Sequence, residues 1–132
     1  MGTRKPLILM VDDESHILHV LSMKLRTTGY DVITAEDGEE GLLLAMQHRP
    51  DLVITDYQMP YMTGLQLCQE LAQRESTRDI IVLMLTARGP QWGSQCLTQP
   101  NLAGVITKPF SPREVVGRVR ELVGRPVQRK VG

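Results

Sequence analysis

Five polar residues stand directly after short apolar runs. Asp12 and Asp13 follow Leu7 to Val11, Asp56 follows Leu52 to Thr55, Thr86 follows Ile80 to Leu85, and Lys108 follows Val105 to Thr107. If those runs are parallel strands of one open sheet, they all finish on one edge, where ligands bind such sheets. Three carboxylates gathered there repel one another. A cation relieves that, and oxygen ligands without His or Cys select a hard ion such as Mg²⁺, which takes one or two carboxylates and keeps several waters. The remaining positions suit a phosphate oxygen, with the Thr86 hydroxyl as donor and Lys108 as a point charge. A metal, a cation, a hydrogen-bond donor and a carboxylate nucleophile are the equipment of phosphoryl transfer. Singly, each residue has a plainer reading: Asp13 or Ser15 as a helix cap, a lone Asp as a turn residue, Lys108-Pro109 as surface. It is the coincidence of all five at one edge that points to chemistry.

The elements that would position these residues alternate along the chain. After the first apolar run, Ile17, Leu18, Leu21 and Leu25 fall at helical intervals, and Gly29 follows as a C-cap. Asp31 to Ala35 reads as a second strand, Glu36-Asp37-Gly38 as a turn, and Glu39 to His48 as a helix with Pro50 beyond it. Leu52 to Thr55 and Ile80 to Leu85 flank a helix from Leu65 to Arg74. Ser111-Pro112-Arg113-Glu114 opens a last helix, with an N-cap Ser, Pro at the first helical position and Glu three residues on. Short, fully apolar strands between helices predict a parallel sheet covered on both faces.

Length and composition set the outer bounds. The 132 residues, 42% hydrophobic and 23% charged, make one globular domain. Residues 6 to 112 hold 13 acids against 7 bases, whereas residues 113 to 132 carry a net +4, and the whole chain is neutral. That balance argues against a dedicated nucleic-acid binder. The basic end is either a partner's landing site or a solvated helix whose cations suit its C-terminal dipole. No apolar run reaches the ~20 residues of a membrane span, and polar residues before Leu7 predict no secretory signal. Cys68 and Cys96 lack metal-site spacing and read as free thiols in a reducing cytoplasm. GxxxxGK[ST], GxGxxG, HExxH and GxSxG motifs are all absent.

Asp12-Asp13, Asp56 with Met59-Pro60 and Gly64, Thr86-Ala87 and Lys108-Pro109-Phe110 together resemble the receiver domain of two-component response regulators, over about residues 6 to 124. The resemblance implies a flavodoxin-like (βα)₅ sandwich with strand order 2-1-3-4-5. It implies that Asp56 accepts a phosphoryl group from a phosphohistidine on a sensor histidine kinase or phosphotransfer protein. Asp13, Asp56 and the Gln58 carbonyl would then ligate Mg²⁺ directly, with Asp12 acting through water. Thr86, Lys108 and the backbone N–H groups of Gln58 and Ala87 would hold the phosphoryl group. A cis peptide between Lys108 and Pro109 is also implied.

Two departures stand out. Receivers usually carry an aromatic rotor three positions before the lysine, and here that position is Val105. The stretch that normally forms the fourth helix holds Gly89, Pro90, Gly93 and Pro100, which leaves about Ser94 to Thr98 as a secure helical turn. An atypical fourth helix is expected, with Trp92 either a partner anchor or a packing residue. The competing functions are a docking module that keeps the fold without the chemistry and a small-molecule aspartyl-phosphate hydrolase. The five polar residues weigh against the first. The second usually needs an Asp two residues after the nucleophile, where Gln58 stands. The expectation is therefore a cytoplasmic regulatory switch rather than an enzyme, formed by residues 1 to 124 with a basic tail or linker start at 125 to 132. It would be a monomer or weak dimer, with an output partner the sequence does not name and no direct contact with nucleic acid or membrane.

Overall fold

Alternation within the strands decides which way the core faces. In a strand, successive side chains point to opposite faces. In the first strand, β1 (Leu7–Val11), Ile8 and Met10 therefore enter one apolar layer while Leu9 and Val11 enter the other. The computed structural model describes residues 5–87 and 98–125. Its elements follow as α1 (Ser15–Thr28), β2 (Asp31–Ala35), α2 (Gly38–His48), β3 (Leu52–Asp56), α3 (Gly64–Gln73), β4 (Ile81–Thr86), β5 (Leu102–Thr107) and α4 (Pro112–Val123). The five strands are parallel in the order β2-β1-β3-β4-β5, as the resemblance implies.

Helices α1 and α4 cover one face, packing Leu18, Leu21, Leu25, Val115 and Val119 on Ile8, Met10, Ile54, Leu83 and Leu85. Helix α3 supplies Leu67 and Leu71, and α2 supplies Ala45, to the layer of Leu9, Val11, Val53, Val82 and Met84. Every residue of β3 is buried, as a central strand between two helical layers requires. Helix boundaries follow local chemistry. Gly29 ends α1 at φ 117°, a left-handed conformation that suits glycine. Thr63 and Gln66 form a reciprocal capping box at the start of α3. The Ser111 hydroxyl accepts from the Glu114 N–H, with Pro112 in the first turn of α4.

Beyond one-residue shifts at the ends of α2, β3, α3 and β4, the structure departs from the sequence reading at β5 and at the start of α1. Strand β5 begins at Leu102, not Val105, because pairing with β4 overrides the poor strand propensity of Ala103 and Gly104, with a register shift between Val82 and Leu83. The α1 N-cap is Glu14, which makes no side-chain capping bond, so neither Asp13 nor Ser15 caps that helix. The irregular stretch expected between Gly89 and Gly93, Trp92, and most of the turn from Ser94 to Thr98 lie outside the described residues.

Candidate functional site

Register brings the predicted residues to one edge. Val11 pairs with Thr55, Asp56 with Leu85, and Thr86 with Thr107, so residues 12, 56, 86 and 108 sit where the four strands end. Carboxylate oxygens of Asp12, Asp13 and Asp56 lie within 4.8 Å of one another. Asp12 is fully buried; its backbone N–H donates to the Ala35 carbonyl at 3.1 Å, and its Oδ1 accepts from the Glu14 N–H at 2.9 Å. Its Oδ2 is buried with no hydrogen-bond partner. Burial pushes the Asp12 carboxyl up to about 6; the Glu14 N–H opposes this and the Asp56 charge adds to it. Asp56, 5% exposed, is also raised by burial, against the pull of Lys108. Asp13 is exposed.

Lys108 supplies the cation. Its Nζ lies 3.3 Å from Asp56 Oδ1 and 3.7 Å from Glu14 Oε1. The cis Lys108–Pro109 bond follows immediately, as the resemblance implies, and the Lys108 N–H donates to the Thr86 carbonyl at 2.6 Å. That bond ties the ends of β4 and β5 together. Thr86 is 1% exposed and stands one position beyond the residue paired with Asp56. Ala87 follows it at the same edge.

The loop after Asp56 is held by the backbone. The Tyr57 N–H donates to Leu85, and the Gly64 N–H returns to the Tyr57 carbonyl, both at 2.8 Å. A Cβ at Gly64 would run into the Asp56 carbonyl oxygen, so only glycine lets α3 start this close to the site. Gln58 is exposed and, with Tyr57, Met59, Pro60 and Thr63, lines an open hollow of about 440 Å³. The half-buried Val105 packs with the layer that holds Leu9 and Met84, where the resemblance expects an aromatic rotor.

Three clustered carboxylates, one with a buried oxygen lacking any partner, suit a hard divalent ion: the donors are all oxygen, and a cation would satisfy Asp12 Oδ2. Sequence reasoning missed Glu14, whose carboxylate faces Lys108. The only signal was its place next to Asp12 and Asp13.

The structure is a doubly wound α/β domain with an acidic pocket and a lysine at the carboxyl ends of its strands, where ligands bind such sheets. The family model described as the response regulator receiver domain matches residues 8–120, and this chain belongs to that family, the receiver domain of two-component response regulators. The alkaline phosphatase synthesis transcriptional regulatory protein PhoP of Bacillus subtilis is 42% identical over 118 residues, covering 89% of this chain and 48% of the relative. The DNA-binding dual master transcriptional regulator RpaA of Synechocystis is 41% identical over 120 residues, covering 91% and 50%. The chain thus spans about half the length of the curated relatives it matches. Among solved structures, the chemotaxis response regulator CheY4 of Vibrio cholerae superposes with a TM-score of 0.84 at 30% identity, covering 92% of this chain and all of that one. The receiver domain of sensor histidine kinase PA1611 from Pseudomonas aeruginosa, solved with a magnesium ion in its active site cleft, gives a TM-score of 0.81 at 26% identity, covering 92% and 99%. Among the described residues, no helix is long and apolar enough to cross a membrane.

Proposed function

We propose that Asp56 is the phosphoacceptor of a signalling switch charged by a sensor histidine kinase or a phosphotransfer protein. The observation that carries this reading is the Asp56 carboxylate at the end of the central strand, with two further carboxylates within 4.8 Å and the Lys108 ammonium at 3.3 Å. An Asp56 oxygen attacks the phosphorus of a phosphohistidine; the P–N bond breaks and its electron pair leaves with the imidazole. Lys108 then transfers its contact from the carboxylate to the incoming phosphoryl oxygens. The Thr86 hydroxyl and the backbone N–H groups of Gln58 and Ala87 supply donors for the others. Asp12, Asp13, Asp56 and the Gln58 carbonyl form the magnesium-binding set. Mg²⁺, when bound there, offsets the carboxylate charge and offers a coordination position to a phosphoryl oxygen.

The chain catalyses only its own phosphorylation and dephosphorylation. Residues 1 to 124 act as the receiver unit, a monomer or weak dimer in the cytoplasm, and 125 to 132 as a basic tail or linker start. Phosphorylation changes what this unit binds; the naming of the relatives as transcriptional regulators supports an output in transcription. The net −6 of residues 6 to 112 supports leaving DNA contact to another part of the regulator.

Incubation with acetyl phosphate and Mg²⁺ should add one phosphate by intact mass, and chelation should stop it. Asp56→Asn should take up none. Continued single phosphorylation of that variant overturns the assignment.

A further inference from the structure

Glu14 occupies the N-cap of α1 without capping it. Its backbone N–H donates to Asp12 Oδ1 at 2.9 Å, while its carboxylate lies 3.7 Å from Lys108 Nζ. It thus touches both arms of the site, the acidic cluster through the main chain and the lysine through the side chain. Lys108 in turn stands between two carboxylates, Glu14 and Asp56.

We propose that Glu14 is a positioning residue that shares Lys108 with Asp56 and thereby sets the balance between divalent-cation binding and phosphoryl capture. The inference rests on the reading of Asp56 as the phosphoacceptor. The Glu14 side chain is 60% exposed and that of Lys108 22%, so their pairing adds little to the fold. What it changes is the charge each neighbour feels. Before phosphorylation, Glu14 draws part of the ammonium away from Asp56 and adds its own negative potential, and both effects favour a cation in the cluster. After transfer, a phosphoryl group with nearly two negative charges needs Lys108. Glu14 then competes for that lysine and repels the group it serves. One side chain therefore helps the first event and hinders the second.

The opposed signs make the test. Glu14→Gln keeps size and polarity, and it removes no capping bond. Calorimetric titration with Mg²⁺ alone should show affinity weakened about two- to fivefold, the range expected for an exposed pair. Phosphorylation by acetyl phosphate at saturating Mg²⁺, followed by intact mass, should become faster by a similar factor, about two- to fivefold. Glu14→Asp keeps the charge but withdraws it from Lys108; it should preserve most of the Mg²⁺ affinity and still speed phosphorylation. Unchanged values for Glu14→Gln, or losses in both measurements, overturn the proposal. Wild-type protein that binds Mg²⁺ but takes up no phosphate sinks the reading of Asp56 instead, while the Mg²⁺ titration still decides whether Glu14 shapes the cluster.

Discussion

The two edges of the sheet use the same residue type in opposite ways. At the amino-end edge, Asp51 precedes β3 and is spent on the backbone. Its Oδ2 accepts from the Leu7 N–H at 2.7 Å, and its own N–H donates to the Leu7 carbonyl at 2.8 Å. That reciprocal pair joins the starts of β1 and β3 beside an open hollow of about 610 Å³ lined also by Arg49, Glu75 and Asp79. At the carboxyl-end edge, Asp12 is buried more deeply, yet one of its oxygens has no partner, and burial raises its carboxyl to about 6. A carboxylate at one edge closes the fold; at the other it is held in an unfavourable state for a ligand to relieve. Stability given up at a site that must bind and react is a recurrent trade.

Neutralising Asp12 should therefore stabilise the protein, which is the largest effect expected on stability. A carboxyl raised from 3.8 to about 6 binds its proton more tightly folded than unfolded. Its destabilising contribution is absent below about pH 4, grows as pH rises between the two values, and is complete above about 6. In metal-free protein at pH 7.5, Asp12→Asn should raise the unfolding free energy in urea by about 2–3 kcal/mol, and the difference from wild type should vanish near pH 4. Mg²⁺ should narrow the gap by stabilising the wild type more than the variant, which keeps Asp13 and Asp56 but loses one charge of the cluster. A loss of stability in this variant would erase the contrast between the edges.

Asp51→Ala should move the other way. It leaves the Leu7 N–H without its partner and should cost about 1–2 kcal/mol, with phosphate uptake unchanged by intact mass. The smallest change lies away from both edges, where a Cβ added at Gly117 in α4 meets nothing within 4 Å. Gly117→Ala should add about 0.5–1 kcal/mol from helix propensity alone, with no pH dependence between 4 and 8. A pH-dependent gain there would show that the Asp12 profile is not specific to the site.

What the sequence reveals and conceals follows from the same physics. The positions of Asp12, Asp13, Asp56, Thr86 and Lys108 were legible because strand ends in a parallel sheet share an edge, and apolar runs mark the strands plainly. The caps at Gly29 and Ser111 were legible because they depend on local residue chemistry. The start of β5 was not, since Ala103 and Gly104 take strand form only through pairing with β4. Glu14 was not, because its contact is with a lysine 94 positions away. Nor was the unpartnered Asp12 oxygen, because desolvation belongs to the packed structure and leaves no mark on a residue's type.

Strand order also fixes when the pocket can exist during synthesis. The acids at the ends of β1 and β3 precede Lys108, which follows β5, in the order of synthesis. Among the described residues β5 pairs only with β4, so the lysine joins the acidic cluster through that one pairing. Long-range pairings form late because their loops must close first. The acidic cluster thus lacks its neighbouring ammonium until β5 docks on β4.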